Sequence, residues 1–328
     1  MLPAFAVLAF SPPERQRWVA KMGVLPDAAA RLRAAVEQGL VHRAEPLRND
    51  TSIPGTFDSA AHWPECAKVI NDIRDQGNCG CCWAFAGAEA ASDRACIATG
   101  GKIAQPLSAG AVCFSVYNGC GGGDMHTPWL KVQAGEVVSG AQSNNSKSDP
   151  FADDGLCYPY PLPHCRHHVG ESDAPYPLEG TPGCPDLDGS PTAPGRCDAS
   201  ARPPHDNWDK DGVTFDGQVV VHPIDEAAVK RAIMAGGPVA ASMDVLSDFP
   251  TYKSGVYVPK SSDVLGSHAV RIVGWGVDQG KAYWRVANSW NTYWGESGFF
   301  RIAMGNTCGL LDTVVASSDD ATWKAKAS

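Results

Sequence analysis

Three cysteines, Cys79, Cys81 and Cys82, stand directly in front of an apolar, alanine-rich run that contains no proline. The run stops at Gly100 and Gly101, a common C-terminal signal, and the spacing of its apolar residues predicts a helix. A thiol in the first turn of a helix lies among unpaired backbone N–H groups at the positive end of the helix dipole, and both favour the nucleophilic thiolate. The alternative is a disulfide cysteine beside a core helix, which is the commoner role of a lone cysteine.

The twelve cysteines of this 328-residue chain point to the compartment in which it folds. Together with 34 Gly and 25 Pro they favour a loop-rich disulfide framework in an oxidising environment, either lysosomal, vacuolar or secreted. A zinc protein is the alternative, but the Cys-x2-Cys pair Cys79 and Cys82 has no second half. The net charge of -9 argues against nucleic acid and anionic membranes as partners, and no run approaches the roughly twenty apolar residues of a membrane span.

The composition divides the chain into three segments. Residues 1–52 contain no cysteine and are expected to be a removable signal or propeptide-like segment, for which an ordinary helical subdomain is the alternative. Residues 53–207 are expected to be a mainly helical lobe, and 208–328 a mainly β lobe with a C-terminal tail, because short apolar runs at hairpin spacing begin after Trp208. Two such lobes predict an α+β fold with a cleft between them.

A cysteine nucleophile needs a base within hydrogen-bond reach and a group that orients the base. His268 opens one apolar run and Asn288 closes another, so the Asn288 amide oxygen can accept one imidazole N–H. The expected resting state is then a thiolate–imidazolium ion pair. Gln76, six residues before Cys82, can join the Cys82 backbone N–H as an oxyanion hole. Taken alone, His268 would more often be a structural residue at the end of a strand.

Residues 53 to about 316 resemble a papain-family cysteine protease of the cathepsin B-like kind. The resemblance rests on four long strings: Arg74-Asp-Gln-Gly-Asn-Cys-Gly-Cys-Cys-Trp-Ala-Phe, Ser92-Asp-Arg-Ala-Cys-Ile, Gly266-Ser-His-Ala-Val-Arg-Ile-Val-Gly-Trp-Gly, and Val286-Ala-Asn-Ser-Trp-Asn-Thr-Tyr-Trp-Gly-Glu-Ser-Gly-Phe-Phe. It implies a two-lobed papain-like fold, with a helical left lobe and an antiparallel, β-barrel-like right lobe on either side of the active-site cleft.

The same resemblance implies the catalytic roles. Cys82 would be the nucleophile, His268 the base and acid, Asn288 the orienting residue and Gln76 the oxyanion-hole donor. Trp290 would shield the bond between Asn288 and His268. The implied reaction is hydrolysis of peptide bonds through a thioacyl-enzyme, with no cofactor and no metal.

Substrate contacts follow from the resemblance as well. Gly122 and Gly123 match the backbone strand that binds an extended substrate. Thr313 stands where such enzymes often have an acidic residue at the floor of the S2 pocket, which predicts apolar P2 residues in preference to Arg. The N-terminal segment resembles an inhibitory propeptide, and cleavage near Asp50 to Ile53 would release the active enzyme.

An insertion at about 157–184 resembles the occluding loop of cathepsin B-like enzymes. Its two adjacent histidines, His167 and His168, would hold the substrate's C-terminal carboxylate so that dipeptides are trimmed from the C-terminus, a task that suits imidazolium at mildly acidic pH. A zinc cluster that includes His164 and Cys165 is the metal alternative, but these ligands are packed too tightly for one tetrahedron.

By resemblance we expect the disulfides Cys66–Cys96, Cys79–Cys120, Cys113–Cys184 and Cys157–Cys197. Four cysteines would then remain free: Cys81, Cys82, Cys165 and Cys308. Because Cys165 would lack a partner, the loop would be loosely held, which would shift the balance towards endopeptidase action.

The partners implied are peptide and protein substrates and inhibitors of the cystatin type, acting on a monomer. Two other functions compete with proteolysis. One is a catalytically silent, secreted cathepsin B-like binding protein. The other is a redox or metal-handling protein built on Cys79, Cys81 and Cys82. Because Cys82, His268, Asn288 and Gln76 are all present, the protease is favoured.

Overall fold

The computed structural model describes residues 20–45, 52–142, 149–168, 184, 187, 189–317 and 321–323. The start of the chain, part of the expected cleavage region and most of the insertion after residue 168 lie outside these ranges. None of the described helices is long and apolar enough to cross a membrane.

Helices predominate before residue 134 and strands after residue 212. The N-terminal part holds α1 (Ala28–Glu37), β1 (His42–Arg43), β2 (Phe57–Asp58), α2 (Ser59–His62), α3 (Ala67–Ile70), α4 (Cys82–Ala98), α5 (Ala109–Cys113) and α6 (Thr127–Gln133). The C-terminal part holds β3 (Val213–Phe215), β4 (Val219–Val221), α7 (Glu226–Gly236), β5 (Val239–Leu246), β6 (Val256–Tyr257), β7 (Val264–Asp278), β8 (Lys281–Ala287), β9 (Phe299–Ala303), β10 (Val315–Ser317) and β11 (Ala321–Trp323).

The main sheet has the strand order β1-β4-β10-β5-β7-β8-β9-β6, and β2 also pairs with β7. At the centre of the sheet, β5, β7, β8 and β9 pair in the antiparallel sense. A tight turn at Gln279 and Gly280, both with positive φ, joins β7 to β8. The two end strands have only two residues each and pair in parallel on one side. Within the described residues the sheet therefore stays open. The α+β fold is as expected, but the β lobe is not a closed barrel.

Helix α4 lies at the centre of the molecule, and every residue from Cys82 to Cys96 is buried. It begins at the predicted cysteine and ends just before the predicted glycine pair. It packs against β7, α5 and α6. A Cβ at Gly87 would lie 2.3 Å from the Pro128 side chain, so a glycine is needed where α6 meets α4.

Five disulfides tie the described residues together: Cys66–Cys96, Cys79–Cys120, Cys81–Cys113, Cys157–Cys197 and Cys165–Cys184. The expected pair Cys113–Cys184 is therefore wrong, and neither Cys81 nor Cys165 is free. The turn before α4 brings Cys81 to the last residue of α5, with 5.9 Å between the Cα atoms of Cys81 and Cys113. Cys113 is thus already paired with Cys81, and Cys184 forms its disulfide with Cys165.

Candidate active site

Cys82 is the first residue of α4, and its free thiol is buried. Backbone bonds from Gly80 N to Cys120 O (3.0 Å) and from Cys81 N to Cys79 O (2.7 Å) fix the preceding turn. The Cys82 backbone N–H has no acceptor within the helix, because it belongs to the first helical residue. The Cys81 side chain does not cap the helix either. The fold thus places the thiol beside an orphan N–H donor, where the helix dipole favours negative charge.

His268 lies in β7, and the backbone of the next residue, Ala269, hydrogen-bonds the Cys82 sulfur. His268 Nε2 is 2.7 Å from Oδ1 of Asn288, which directly follows β8. Among the described residues His268 Nδ1 has no hydrogen-bond partner. Trp290, fully buried, covers the imidazole with ring centroids 4.7 Å apart. The ring is thus oriented through one nitrogen, and the other is left for proton transfer.

Gln76 is buried and held at several points. Its backbone N–H donates to Ser289 O (2.9 Å), its Oε1 accepts from Ser289 Oγ (2.8 Å), and its backbone O accepts from Tyr160 OH (2.8 Å). Its Nε2 donates to Cys79 O (2.8 Å) and to Lys21 O (2.9 Å). The side-chain amide is therefore preorganised and already binds a backbone carbonyl.

That carbonyl belongs to a stretch of the N-terminal segment (residues 20–45) that runs through the cleft. Gly123 N donates to Gly23 O (3.0 Å), Leu25 N donates to Gly123 O (3.2 Å), and Val24 N donates to Ser267 O (3.2 Å). Val24 pairs with Gly123 in the parallel sense. The Gly23 backbone hydrogen-bonds the Cys82 sulfur. The stretch therefore covers the thiol.

The covered site favours the neutral forms of both groups. Burial raises the pKa of the Cys82 thiol to about 11, although backbone hydrogen bonds, first among them that of Ala269, act against the increase. Burial lowers the pKa of His268 to about 4, partly offset by the bond to Asn288. At neutral pH the expected thiolate–imidazolium pair is thus disfavoured while the N-terminal segment is in place.

The predicted substrate-binding glycines border the same cleft. Gly122 has a φ of 115°, a value that glycine adopts easily. A Cβ at Gly123 would lie 2.4 Å from the Trp83 ring, so only glycine fits at this position. Thr313 is buried, and its Oγ1 lies 2.6 Å from Ser242 Oγ. It lines a cavity of about 180 Å³ that Ala28 and other residues of the N-terminal segment also border.

The two predicted loop histidines lie near Trp290 and differ in their contacts. His167 Nε2 is 2.5 Å from Asp75 Oδ1, and neither side chain is exposed. Burial acts to raise the pKa of Asp75, but the charge and hydrogen bond of His167, together with the charge of His164 and the Cys165 N–H, lower this pKa overall. The His168 ring packs edge-on against Trp290, with centroids 4.5 Å apart. The resemblance gave both histidines the same task, but here His167 is engaged by an aspartate.

The disulfide Cys165–Cys184 fastens this loop. Its sulfurs lie 3.6 Å and 3.4 Å from the two nitrogens of His167, and Cys165 N donates to Asp75 Oδ2 (2.8 Å). The expectation of a loosely held loop rested on an unpaired Cys165, and that premise is wrong. Because its sulfur is in a disulfide, Cys165 also cannot serve as the thiolate of the zinc alternative.

The sequence pattern assigns no role to Asp75 or to Asp124. A carboxylate next to the oxyanion-hole glutamine was the available signal for Asp75, but its partner lies 92 residues later. Asp124 directly follows Gly123 and pairs with Arg31 of α1, with Arg31 Nε 2.5 Å from Asp124 Oδ1. Only the folded chain reveals either contact.

The chain is similar in sequence to cysteine proteases. Residues 53–318 match the family described as papain family cysteine protease. Cathepsin B-like cysteine proteinase 4 of Caenorhabditis elegans is 41% identical over 273 residues, which cover 81% of this chain and 76% of that protein. The cathepsin B-like cysteine proteinase of Schistosoma japonicum is 38% identical over 272 residues, 81% of this chain and 73% of that protein.

Solved structures agree. ProCathepsin B S9 from Trypanosoma congolense superposes with a TM-score of 0.63 at 26% identity, over 90% of this chain and 98% of that one. Procathepsin L2 from Tenebrio molitor superposes with a TM-score of 0.56 at 23% identity, over 94% of this chain and 80% of that one, and supports the fold alone. The chain therefore belongs to the papain family of cysteine proteases and is cathepsin B-like within it.

Proposed function

We propose that this chain is the latent form of a cysteine peptidase that hydrolyses peptide bonds through a thioacyl-enzyme on Cys82. The thiolate attacks the scissile carbonyl carbon, and the oxyanion is bound by Gln76 Nε2 and the Cys82 backbone N–H. His268 gives its proton to the departing amine and then takes one from the water that hydrolyses the thioester. Asn288 holds the imidazole ring, and Trp290 keeps water from their bond.

The contact that carries this proposal is the Lys21 carbonyl on Gln76 Nε2, at 2.9 Å. The Lys21 carbonyl accepts from one of the two donors that we assign to the oxyanion, as the carbonyl of a bound substrate would. The same contact accounts for latency, because residues 21–25 fill the cleft. Once the N-terminal segment leaves, water returns to the cleft and the burial that disfavours charge is relieved. The pKa of Cys82 then falls and that of His268 rises towards the reactive ion pair.

An epoxysuccinyl thiol-protease probe tests the nucleophile. After removal of the N-terminal segment, the probe should add its mass to the peptide that contains Cys82, and Cys82→Ala should abolish the labelling. Cys308→Ala is the matched control, because Cys308 is the other free cysteine of the described chain, and labelling should survive this change. A folded protein that the probe does not modify at Cys82 would instead favour the catalytically silent binding protein.

The activity that we assign is endopeptidase together with C-terminal dipeptidase, with His168 as the residue that receives the substrate carboxylate. His167 holds the loop through Asp75, and the disulfide supports the same position. We expect a peptide with a free C-terminus to be trimmed about tenfold faster than its amide, and His168→Ala to remove most of that difference. Equal rates for the two wild-type reactions would contradict the dipeptidase assignment.

Apolar P2 side chains fit the cavity at Thr313, because the polar groups that line it are already engaged. The Thr313 hydroxyl bonds Ser242, and the Asp244 and Asp312 carboxylates accept hydrogen bonds from Ser267 and Asn306. The partners are then peptides and proteins, with cystatin-type inhibitors competing for the same cleft in a monomeric enzyme. Five disulfides support folding in an oxidising compartment, so we propose a lysosomal, vacuolar or secreted location.

A further inference from the structure

Asp124 carries a carboxylate at the edge of the cleft. It directly follows Gly123, whose N–H and C=O both bond the stretch that runs through the cleft. Its side chain is 21% exposed and accepts two bonds from Arg31, Nε to Oδ1 at 2.5 Å and Nη2 to Oδ2 at 3.0 Å. Such a paired contact is the arrangement in which a guanidinium binds a carboxylate most specifically.

Arg31 belongs to the segment whose removal activates the enzyme. The described partner of the Asp124 carboxylate therefore departs with that segment. His126, two residues further along the chain, can be cationic, but burial, ahead of the opposing effect of Asp124, lowers its pKa. After activation this side of the cleft is thus acidic and open to a cationic ligand.

The position of Arg31 indicates which substrate residue would replace it. Ala28 and Ala29 border the cavity of Thr313, which we have assigned to the P2 side chain. Arg31 follows Ala28 by one helical turn, an axial rise of about 5 Å. Asp124 thus lies within one helical turn plus one arginine side chain of the residues that border the P2 cavity. In an extended substrate the next side chain, P3, points to the opposite face from P2 and lies about 7 Å along the chain from P1.

We propose that Asp124 is a specificity-determining residue that selects an Arg or Lys side chain at P3, and that Arg31 is the internal stand-in for this side chain in the latent chain. The proposal deepens the proposed function and rests on it, since it requires an active cleft. It names the substrate class as peptides with an apolar P2 residue and a basic P3 residue.

The test starts from the full chain, from which the N-terminal segment is then removed. The epoxysuccinyl probe measures the concentration of active enzyme. Matched fluorogenic peptides carry Arg, Gln or Glu at P3 and Phe or Arg at P2. We expect kcat/KM to be about fivefold higher for Arg than for Gln at P3, the size of effect that a partly exposed ion pair gives. Asp124→Asn should bring the two rates together, and Asp124→Lys should favour Glu at P3.

Asp154→Asn is the matched control, because it also removes a carboxylate from a surface ion pair, the one with Lys68. This change should leave the P3 ranking as it is. A wild-type ranking that is flat at P3 would overturn the proposal, and so would an Asp124→Asn enzyme that loses activity equally on all three P3 residues. Failure of the probe to label Cys82 is a different result, since it would reject the peptidase itself.

Discussion

The uncleaved Gly23→Leu chain should hydrolyse short peptide substrates about a hundredfold faster than the uncleaved wild-type chain. Gly23 lies where the N-terminal segment passes closest to the body of the protein. A Cβ at this position would lie 1.9 Å from the backbone oxygen of Gly80. Gly80 is itself tied to Cys120 O by its N–H (3.0 Å). The backbone fixes the positions of both clashing atoms, the Cβ of residue 23 and the Gly80 oxygen. No side-chain rotation can therefore relieve the clash.

Loss of the close approach between Gly23 and Gly80 affects every contact that blocks the cleft. The Lys21 carbonyl on Gln76 and the bonds of Gly23, Val24 and Leu25 all depend on the close approach at Gly23. Overpacking of this kind costs roughly 1–3 kcal/mol or more, and about 2.7 kcal/mol corresponds to a hundredfold change in an equilibrium. Some inhibition should remain, because the segment is still tethered and acts at a high effective concentration.

Two measurements separate release of the segment from its cleavage. The initial rate of hydrolysis is read on protein that gel and mass analysis show to be intact, and the rate of Cys82 alkylation is read at the same time. Gly55→Leu is the matched control, because a Cβ at Gly55 meets nothing within 4 Å, and it should stay latent. A Gly23→Leu chain that is intact and as slow as wild type would show that residues 21–25 do not cause the latency.

Local pattern was sufficient to predict some parts of this structure. The apolar run behind Cys82 predicts α4 with the correct start and end, because most of its residues are apolar and it contains no proline. The run from Glu226 to a Gly-Gly-Pro stop likewise predicts α7. The strings that carry the resemblance include Cys82, His268, Asn288 and Gln76, and the fold gathers these four around one cleft.

Other features depend on contacts between distant segments. The partner of Cys113 is set by the turn that ends at Cys81, and no spacing rule distinguishes Cys81 from Cys184 as that partner. The Asp75–His167 contact joins residues that are 92 positions apart, and the sequence around each residue does not indicate the other as its partner. The passage of residues 21–25 through the cleft is equally invisible in a short, weakly patterned stretch. In each case the decisive quantity is which backbone comes close to which, and local pattern does not specify it.

A second site with large expected effects lies between α4 and β7. Two guanidiniums are buried among four carboxyls there: Arg74, Arg271, Asp72, Glu89, Asp93 and Asp149. Arg271 Nη1 is 2.5 Å from Asp93 Oδ2, and Arg74 Nε is 2.7 Å from Asp72 Oδ2. Arg94, the next residue of α4 after Asp93, gives its guanidinium to four backbone carbonyls instead.

Carboxyls outnumber the cations in this cluster, so some of them should hold a proton near neutral pH. Burial, opposed mainly by the charge of Arg271, raises the pKa values of Glu89 and Asp93 to about 7. The folded state therefore binds more protons here than the unfolded chain between about pH 4 and 7, and this contribution to stability is lost as the pH rises through that window. Buried His222 and His268, with pKa values lowered to about 4, act in the opposite direction.

Arg271→Met should therefore destabilise the protein by about 3–5 kcal/mol at pH 7.5 and by clearly less at pH 5. At pH 7.5 the change leaves Glu89 and Asp93 without their main counter-charge in a site that water does not reach. At pH 5 both can be protonated, and much of that penalty disappears. Comparison of variant and parent at each pH cancels the histidine contributions, because these are common to both proteins.

Urea unfolding of the Cys82→Ala chain, which avoids self-digestion, gives the free energies at both pH values. Arg285→Met is the matched control: Arg285 is 28% exposed and bonds Asp58 at 2.6 Å, so its loss should cost about 1 kcal/mol or less at either pH. A cost for Arg271→Met that does not change between pH 5 and 7.5 would mean that Glu89 and Asp93 stay ionised throughout, with Arg271 as one half of a permanently charged pair. A cost that falls at pH 5 means that Glu89 and Asp93 take up protons once Arg271 is gone, so that the guanidinium is needed between α4 and β7 mainly when these carboxyls are ionised.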